Sequence, residues 1–275
     1  MWNRRPFTGV SRRAACTGLT NQAPQNVDRK CTTRDRFTMG RYRRLEPYAI
    51  VVVVATVVMT ICVAGLLFRE RFPVSVPTRV WVIAASSCFV FVGWGSWTLL
   101  QERTSFCVLL GLLGCWLGDY LGLKDFMSGA ISFLVAHLFF IIAWAQRGFA
   151  WTRVPTVLAG VLTAAGCCAA WLLPHVPRSD LPLVLGYMVV ISAMVVTAGS
   201  ADLPRWPVTL TAAAIFFVSD IAVARWRFVA PGDVNAWFCY PLYYAACLML
   251  AVSPVVNRPQ DAQTTERSTR EGSAT

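Results

Sequence analysis

Apolar runs of about 20 residues recur along the middle of this chain, and each is long enough to cross the roughly 30 Å of hydrocarbon in a bilayer. Because a backbone in lipid must satisfy its own hydrogen bonds, each run is predicted to be a helix. We therefore expect an all-α integral membrane protein, a bundle of about eight transmembrane helices within residues 47–254. The runs lie at about residues 48–68, 80–100, 106–123, 126–145, 154–173, 181–199, 206–225 and 235–254.

The composition agrees with a protein that lies almost wholly in the membrane. Hydrophobic residues make up 56% of the 275-residue chain, and charged residues only 14%. The connections between apolar runs are short, so consecutive helices should pack as antiparallel neighbours. No segment is long enough for a soluble catalytic domain. Any activity must therefore be located inside the helix bundle.

The two ends of the chain are polar. Residues 1–46 contain eleven Lys and Arg against three acidic residues, a net charge of +8 within a total of +11, and we expect this basic leader to be disordered. Residues 255–275 form a polar tail. Arg41, Arg43 and Arg44 flank the first run, which favours a cytoplasmic N-terminus, although the remaining loops carry more Arg and Lys on the opposite side. The expected location is the plasma membrane of a bacterium. No folded module for nucleic acid is visible, so the bilayer itself is the expected partner of the basic residues.

Cysteine usage carries little functional information. Eight of the ten cysteines fall within the apolar runs, where they act as small packing residues. No Cys-x-x-Cys pair is present, so a thiolate metal site is not expected. The sequence indicates neither a bound metal nor a cofactor.

Two aspartates, Asp119 and Asp220, are the acidic residues placed well within long apolar runs. A carboxylate at bilayer depth costs several kcal/mol on insertion, so it is usually functional and has a partner. Both residues lie on odd-numbered helices, which cross the membrane in the same direction. Each lies about five residues past the middle of its helix, or about 7 Å from the midplane at 1.5 Å per residue. Asp119 and Asp220 are therefore predicted to share one side of the bundle.

Further polar residues are predicted in the same half. Tyr187 in helix 6 lies on that side, and His137, Tyr243 and Tyr244 lie near the midplane. In helix 4, aromatic residues and His137 follow spacings of three and four, so they share one face. Such a face suits either ordinary core packing or a pocket for a long apolar ligand with a polar head. The residues of this face are Phe126, Gly129, Phe133, His137, Phe140 and Trp144.

Five short motifs follow one another along these helices. They are LGDYLGL around Asp119, F-x2-G-x3-F-x3-H from Phe126 to His137, Y-x6-M at Tyr187 and Met194, F-x2-S-D from Phe216 to Asp220, and the pair Tyr243–Tyr244. Their order, spacing and placement over residues 45–254 resemble the YhhN family of integral membrane proteins, to which the lysoplasmalogenases belong. Two positions depart from the family pattern, since Phe140 replaces a common tyrosine and Cys247 replaces a common glutamine. Both departures remove polar groups from the expected pocket.

The resemblance implies hydrolysis of the vinyl ether bond of a lysoplasmalogen or a related ether lysophospholipid. This chemistry needs a proton donor, a stabilising negative charge and a group that activates water, which two carboxyl groups can supply. One of Asp119 and Asp220 would be the general acid and the other the base, with His137 orienting water or tuning one carboxyl. Substrate contacts are assigned to Phe133 and to three tyrosines, and Ser219 is expected to position Asp220. The tyrosines are Tyr187, Tyr243 and Tyr244.

Three alternatives stay open on the sequence alone. His137, Asp119 and Asp220 could form a zinc triad. A transporter could use the aspartates as a proton relay, and their placement four helices apart suggests a 4+4 internal repeat, although the sequence shows no Pro or Gly break in a helix. The third alternative is a non-catalytic, lipid-binding bundle. The oligomeric state is not indicated by any feature of the sequence.

Overall fold

The computed structural model describes residues 25–68 and 76–258, with side chains from residue 45 onward. The chain divides into two compact units, residues 1–40 and 41–275. Within the described ranges there are eight α-helices, and all eight have a segment that is long and apolar enough to span a membrane, which confirms the predicted fold class. The helices are α1 (Gln25–Leu67), α2 (Thr78–Leu100), α3 (Arg103–Gly122), α4 (Phe126–Ala145), α5 (Val154–Leu172), α6 (Leu181–Ser200), α7 (Trp206–Ala224) and α8 (Val234–Val256).

The first helix is longer than the sequence suggested. Its membrane segment is Leu45–Leu67, but the helix begins at Gln25, within the leader for which no regular structure was expected. Extending an existing helix adds one hydrogen bond per residue without a new nucleation step, which favours this continuation. Residues 1–24 of the leader and 259–275 of the tail lie outside the described residues.

Six helices form a closed ring in the order α2, α3, α4, α6, α7 and α8, with α8 packing back against α2. Helix α5 packs on the outside of α6. Helix α1 contacts α2 through Tyr48, whose hydroxyl lies 2.7 Å from that of Ser96, and through Gly65 against Trp81. The contacts repeat after four helices, because α2–α3, α3–α4 and α2–α8 correspond to α6–α7, α7–α8 and α6–α4. This pattern supports the 4+4 repeat.

The tight turn between α3 and α4 is held by an N-cap. The Asp125 carboxylate accepts hydrogen bonds from the Ser128 backbone N–H at 2.8 Å and from the Ser128 hydroxyl at 2.6 Å. The first of these bonds gives a partner to a backbone N–H of the first helical turn, which has no acceptor within the helix. They also lower the pKa of Asp125 below its usual value, with a smaller contribution from the positive charge of Arg227.

Helices α3 and α4 make the most extensive contact of the bundle, and glycine allows it. A Cβ atom at Gly129 would lie only 2.7 Å from the Gly122 Cα and 3.1 Å from the Gly118 carbonyl oxygen. Such small-residue contacts are how membrane helices approach closely. The close approach brings the end of α3, which carries Asp119, against the start of α4.

Helix α8 contains two prolines, Pro241 and Pro254. The helix is nevertheless continuous from Val234 to Val256, so these prolines do not break it. Each proline lacks the N–H that would bond the carbonyl four residues earlier. For Pro254 the carbonyl released is that of Leu250, and the Ser253 hydroxyl donates to it at 2.8 Å. The helix therefore continues to Val256 with this backbone acceptor satisfied.

We expect Gly129→Ala to reduce the stability of the protein in detergent by about 1–3 kcal/mol. The added methyl group meets backbone atoms of α3, and these can move away only if the whole helix shifts. Gly160→Ala in α5 is the matched control, since nothing lies within 4 Å of the added Cβ. It should leave stability unchanged or raise it by up to about 1 kcal/mol, since alanine is the better helix former. Thermal unfolding of the purified variants measures both. Equal stability of the two variants would contradict the close α3–α4 packing.

Candidate active site

A cavity of about 300 Å³ opens within one half of the helix ring. Its wall comes from the C-terminal ends of α3, α5 and α7 and the N-terminal ends of α4, α6 and α8, with Val82 from α2. This is the half of the bundle that helix direction predicted from the sequence. Most of the wall is apolar. Its hydroxyl and carboxyl side chains are Asp119, Tyr187, Ser219, Asp220, Tyr240 and Tyr243.

Asp119 is held by hydroxyl groups from two other helices. Tyr243 of α8 donates a hydrogen bond to Asp119 Oδ2 at 2.9 Å. Ser86 of α2 forms a short hydrogen bond with the same oxygen, and its Oγ also lies 2.8 Å from the Val82 carbonyl oxygen. Ser86 is completely buried, whereas Asp119 is half-buried and lines the cavity.

The contacts of Ser86 allow Asp119 to be charged or neutral. A serine hydroxyl has one hydrogen, so Ser86 can donate to only one of its two neighbours. If Asp119 is ionised, Ser86 donates to it. If Asp119 is protonated, the carboxyl group donates to Ser86, which in turn donates to the Val82 carbonyl oxygen. Neither state leaves a buried polar group unpaired, so a proton can leave or return without the cost of a lost hydrogen bond.

Asp220 has a different environment on the opposite part of the wall. Tyr187 of α6 donates to Asp220 Oδ2 at 2.8 Å. The His137 Nε2 atom of α4 lies 3.7 Å from the same oxygen. The Asp220 side chain is 17% exposed, whereas His137 is fully buried and packs edge-on against Phe216 and Tyr187. Asp220 therefore faces the cavity with an imidazole behind it.

The two carboxyl sites follow the four-helix repeat. Ser86 precedes Asp119 by 33 residues, and Tyr187 precedes Asp220 by the same 33. In each case the hydroxyl comes from the preceding helix of the repeat, α2 or α6. The second neighbour comes from the last helix of the other repeat, Tyr243 of α8 or His137 of α4. The repeat therefore places equivalent carboxyl groups in equivalent positions, with one phenol replaced by an imidazole.

The structure brings most of the predicted site residues together. Asp119, Asp220, Tyr187, Tyr243 and Phe133 line one cavity, and Phe133 packs edge-on against Tyr243 with ring centroids 5.7 Å apart. His137 lies behind Asp220 as seen from the cavity, and it does not form part of the wall.

Two predicted residues are placed differently. Ser219 lies on the wall, but no hydrogen bond joins its hydroxyl to Asp220 among the described residues. Tyr244 is fully buried away from the cavity, with its hydroxyl 3.4 Å from the Val82 carbonyl oxygen.

Sequence reasoning also missed Ser86. The only sequence signal for it was the pair of adjacent hydroxyls, Ser86 and Ser87, inside an apolar helix.

The alternative of a zinc triad finds no closely grouped ligand set in this arrangement. Within residues 45–68 and 76–258, no three His, Cys, Asp or Glu side chains are grouped closely enough to hold one metal ion. His137 approaches Asp220, while the hydrogen bonds of Asp119 go to hydroxyl groups. The donor set of the cavity is thus one of carboxyl and phenol groups, which suits proton transfer.

Comparison with known proteins adds an independent line of evidence. The model of a protein family described as the YhhN family matches residues 78–254, from the start of α2 into α8. Lysoplasmalogenase TMEM86A of Bos taurus is 28% identical over 198 residues, which cover 65% of this chain and 80% of the relative. Lysoplasmalogenase TMEM86A of Homo sapiens is 28% identical over 196 residues, with the same coverage of both chains. No solved structure gives a significant match.

We expect Tyr187→Phe and Tyr243→Phe each to reduce stability by about 1–2 kcal/mol, since each removes a hydrogen bond to a carboxyl group without changing the size of the side chain. Tyr120→Phe is the matched control, because its hydroxyl accepts from Lys124 on the exposed face of α3. Denaturant titration in detergent would measure all three. Loss of stability in the control alone would contradict the assigned contacts.

Proposed function

The chain belongs to the YhhN family, and on this premise we propose that it is a membrane-embedded hydrolase that cleaves the vinyl ether bond of lysoplasmalogens. The products are a fatty aldehyde and a glycerophospho-ethanolamine or glycerophospho-choline. The observation that carries the proposal is the pair of carboxyl groups, Asp119 and Asp220, on the wall of one apolar cavity. The names of the two mammalian relatives support the same activity.

The cavity suits the two chemically different parts of such a lipid. Its wall is mainly aliphatic and aromatic, which favours the long hydrocarbon chain by removing apolar surface from water. Phe133 of α4 is assigned to packing against this chain. The hydroxyl and carboxyl groups are placed to meet the ether oxygen and the neighbouring carbons. A single substrate can therefore fill the cavity with its vinyl ether at the carboxyl pair.

Hydrolysis of an enol ether begins with protonation at carbon, and we assign this step to Asp119. Its contacts with Ser86 and Tyr243 accommodate both the protonated and the ionised carboxyl. The proton moves to the vinyl carbon that is not bonded to oxygen, and the double bond supplies the electron pair. The result is an oxocarbenium ion beside a newly formed Asp119 carboxylate. General acid catalysis of this kind contributes about 10²–10⁴-fold to a rate.

Asp220 then acts as the base for water. Its carboxylate stabilises the oxocarbenium ion and takes a proton from the water molecule whose oxygen bonds to the cationic carbon. The hemiacetal that forms breaks its bond to the glycerol oxygen, which receives the proton held by Asp220. The hydroxyl proton of the hemiacetal returns to Asp119. One water molecule is consumed, and both carboxyl groups regain their starting protonation.

The surrounding residues are positioning groups in this scheme. His137 lies 3.7 Å from Asp220 and supports its ionised state or orients the water. Tyr187 and Tyr243 hold the two carboxyl groups and contact the substrate. Ser219 lies on the wall and is assigned a contact with the polar part of the lipid. Tyr244 does not line the cavity, and we assign it an indirect effect on Asp119 through its contact with the Val82 carbonyl oxygen, which Ser86 also contacts.

The membrane orientation extends the proposal. Arg41, Arg43 and Arg44 precede the first span and support a cytoplasmic N-terminus. The proposed location is the plasma membrane of a bacterium. Because α1 enters from that side and the cavity lies at the C-terminal ends of odd-numbered helices, the cavity is then on the opposite face of the membrane. Accessibility of single cysteines introduced at loop positions would test this orientation.

We expect Asp119→Asn and Asp220→Asn each to lower the rate of aldehyde release by at least about 100-fold, because the amide keeps the size of the side chain but cannot exchange a proton in the same way. The measurement is aldehyde formation from a 1-alkenyl lysophospholipid by purified protein in detergent. Asp125→Asn is the matched control, since asparagine is an equally good N-cap and should leave the rate unchanged.

Near-normal turnover of both cavity variants would refute the two-carboxyl mechanism. Gel filtration and thermal unfolding must show that the variants are folded. If the natural protein releases no aldehyde from any alkenyl lysolipid, the proposed function itself fails.

A further inference from the structure

The proposed substrate carries a phosphate that the inner cavity is poorly suited to bind. Asp119 and Asp220 are the ionisable acidic groups of the wall, and the wall contains no Lys or Arg side chain among the described residues. A phosphodiester close to these carboxyl groups would be repelled, since like charges interact strongly where water is scarce. The phosphate must therefore be bound farther along the lipid, where the cavity meets the membrane surface.

At that end, α7 continues into a π-helical turn, Arg225–Val229. The turn is fixed by a buried asparagine from the start of α8. Arg225 donates to Asn235 Oδ1, and Asn235 Nδ2 donates to the carbonyl oxygens of Ala230 at 2.7 Å and Gly232 at 2.9 Å. Such π-helical turns occur frequently at functional sites. This one places the side chains of Trp226 and Phe228 on the cavity wall.

Arg227 lies between those two wall residues in the sequence, and its guanidinium group lies next to two aromatic rings of the wall. Its guanidinium carbon is 4.9 Å from the ring centroid of Phe126 and 6.0 Å from that of Phe228. The two rings contact each other edge to face and both line the cavity. Stacking on aromatic rings orients a guanidinium group while leaving its N–H donors free to bind a planar or tetrahedral anion.

The guanidinium of Arg227 is not neutralised by a neighbouring carboxylate in the described structure. No ion pair joins it to an acidic side chain within residues 45–68 and 76–258. Asp125 is close enough to feel its charge, but the Asp125 carboxylate accepts from the backbone N–H and the hydroxyl of Ser128. Arg227 is also exposed. A cation that is held by aromatic rings and accessible can bind an anionic ligand.

We propose that Arg227 binds the phosphodiester of the lipid whose chain occupies the cavity, and so sets the specificity for phosphate-bearing ether lysolipids. The proposal rests on the proposed function. Arg227 follows Asp220 by seven residues, or about 10 Å along the helix at 1.5 Å per residue. The glycerol unit of the lipid spans the interval between the vinyl ether at the carboxyl pair and a phosphate within reach of the arginine side chain.

Neighbouring cations are committed to other contacts. Arg225 donates to Asn235 and helps to hold the π-helical turn. Lys124 donates to the Tyr120 hydroxyl at 2.8 Å and lies over the Tyr120 ring. Lys124 is therefore a matched control. It carries the same charge at the same end of the bundle, but it lies over the ring of Tyr120, which does not line the cavity.

The test measures binding of a 1-O-alkyl lysophosphocholine, whose saturated ether cannot be cleaved, to the purified full chain in detergent. We expect Arg227→Gln to raise Kd at least about tenfold, the effect of losing one charge-assisted interaction. Arg227→Lys should show a smaller loss, and Lys124→Gln should bind as the natural protein does. A 1-O-alkyl glycerol, which has the same chain but no phosphate, should bind the natural protein and Arg227→Gln equally well.

Two further arms separate a lipid phosphate from a free one. Inorganic phosphate and glycerophosphocholine are tested as competitors, and neither should displace the lysolipid at concentrations near its Kd. Displacement by inorganic phosphate alone would overturn the proposal in favour of a free-anion site. Equal losses for Arg227→Gln and Lys124→Gln, or an equal loss for the phosphate-free lipid, would also overturn it.

The binding assay does not depend on catalysis. If the natural protein releases no aldehyde but Arg227 still governs lysolipid binding, the proposed reaction fails while the phosphate site stands. If aldehyde is released normally and binding is unaffected in Arg227→Gln, the reaction stands and the phosphate site fails. If Arg227→Lys still binds the lysolipid, the loss of binding in Arg227→Gln does not come from a failure of the chain to fold.

Discussion

Two half-buried carboxyl groups, Asp119 and Asp220, accept hydrogen bonds from hydroxyl groups of neighbouring helices, and the site of this bundle depends on these interactions. A carboxyl group within the membrane costs several kcal/mol unless it is solvated by the protein. Asp119 and Asp220 receive that solvation from Ser86, Tyr243 and Tyr187, which belong to three other helices. The bonds join α2, α3 and α8 around Asp119 and join α6 to α7 at Asp220, and these helices line the cavity together with α4, which glycine brings close to α3. The cavity is the space that they enclose.

The four-helix pattern of contacts gives the two carboxyl sites similar surroundings, and small differences between the sites underlie the role that we propose for each. Asp119 has two hydroxyl neighbours and can change its protonation without losing a hydrogen bond. Asp220 has one hydroxyl neighbour and an imidazole, and it is open to the cavity. The first environment suits a proton donor and the second a base that receives a proton from water. A duplicated framework can thus supply an acid and a base from the same residue type.

Much of this arrangement could be predicted from the sequence, because helix direction is set by counting spans. The shared depth of Asp119, Asp220 and Tyr187 followed from that count alone. Ser86 could not be recognised, because a serine in an apolar helix usually bonds its own backbone, as Ser86 also does with Val82. Tyr244 was expected on the wall beside Tyr243, but adjacent residues point about 100° apart around a helix. The π-helical turn after α7 depends on the distant Asn235, so local propensity does not reveal it.

The central claim is that a carboxyl group of the cavity protonates the vinyl ether at carbon. The most direct test compares the rate of aldehyde release from an alkenyl lysolipid in a single turnover of the natural protein in H₂O and in D₂O. Because the carboxyl proton exchanges with the solvent, rate-limiting proton transfer from a carboxyl group to carbon predicts a lower rate in D₂O. Equal rates in the two solvents would contradict the account.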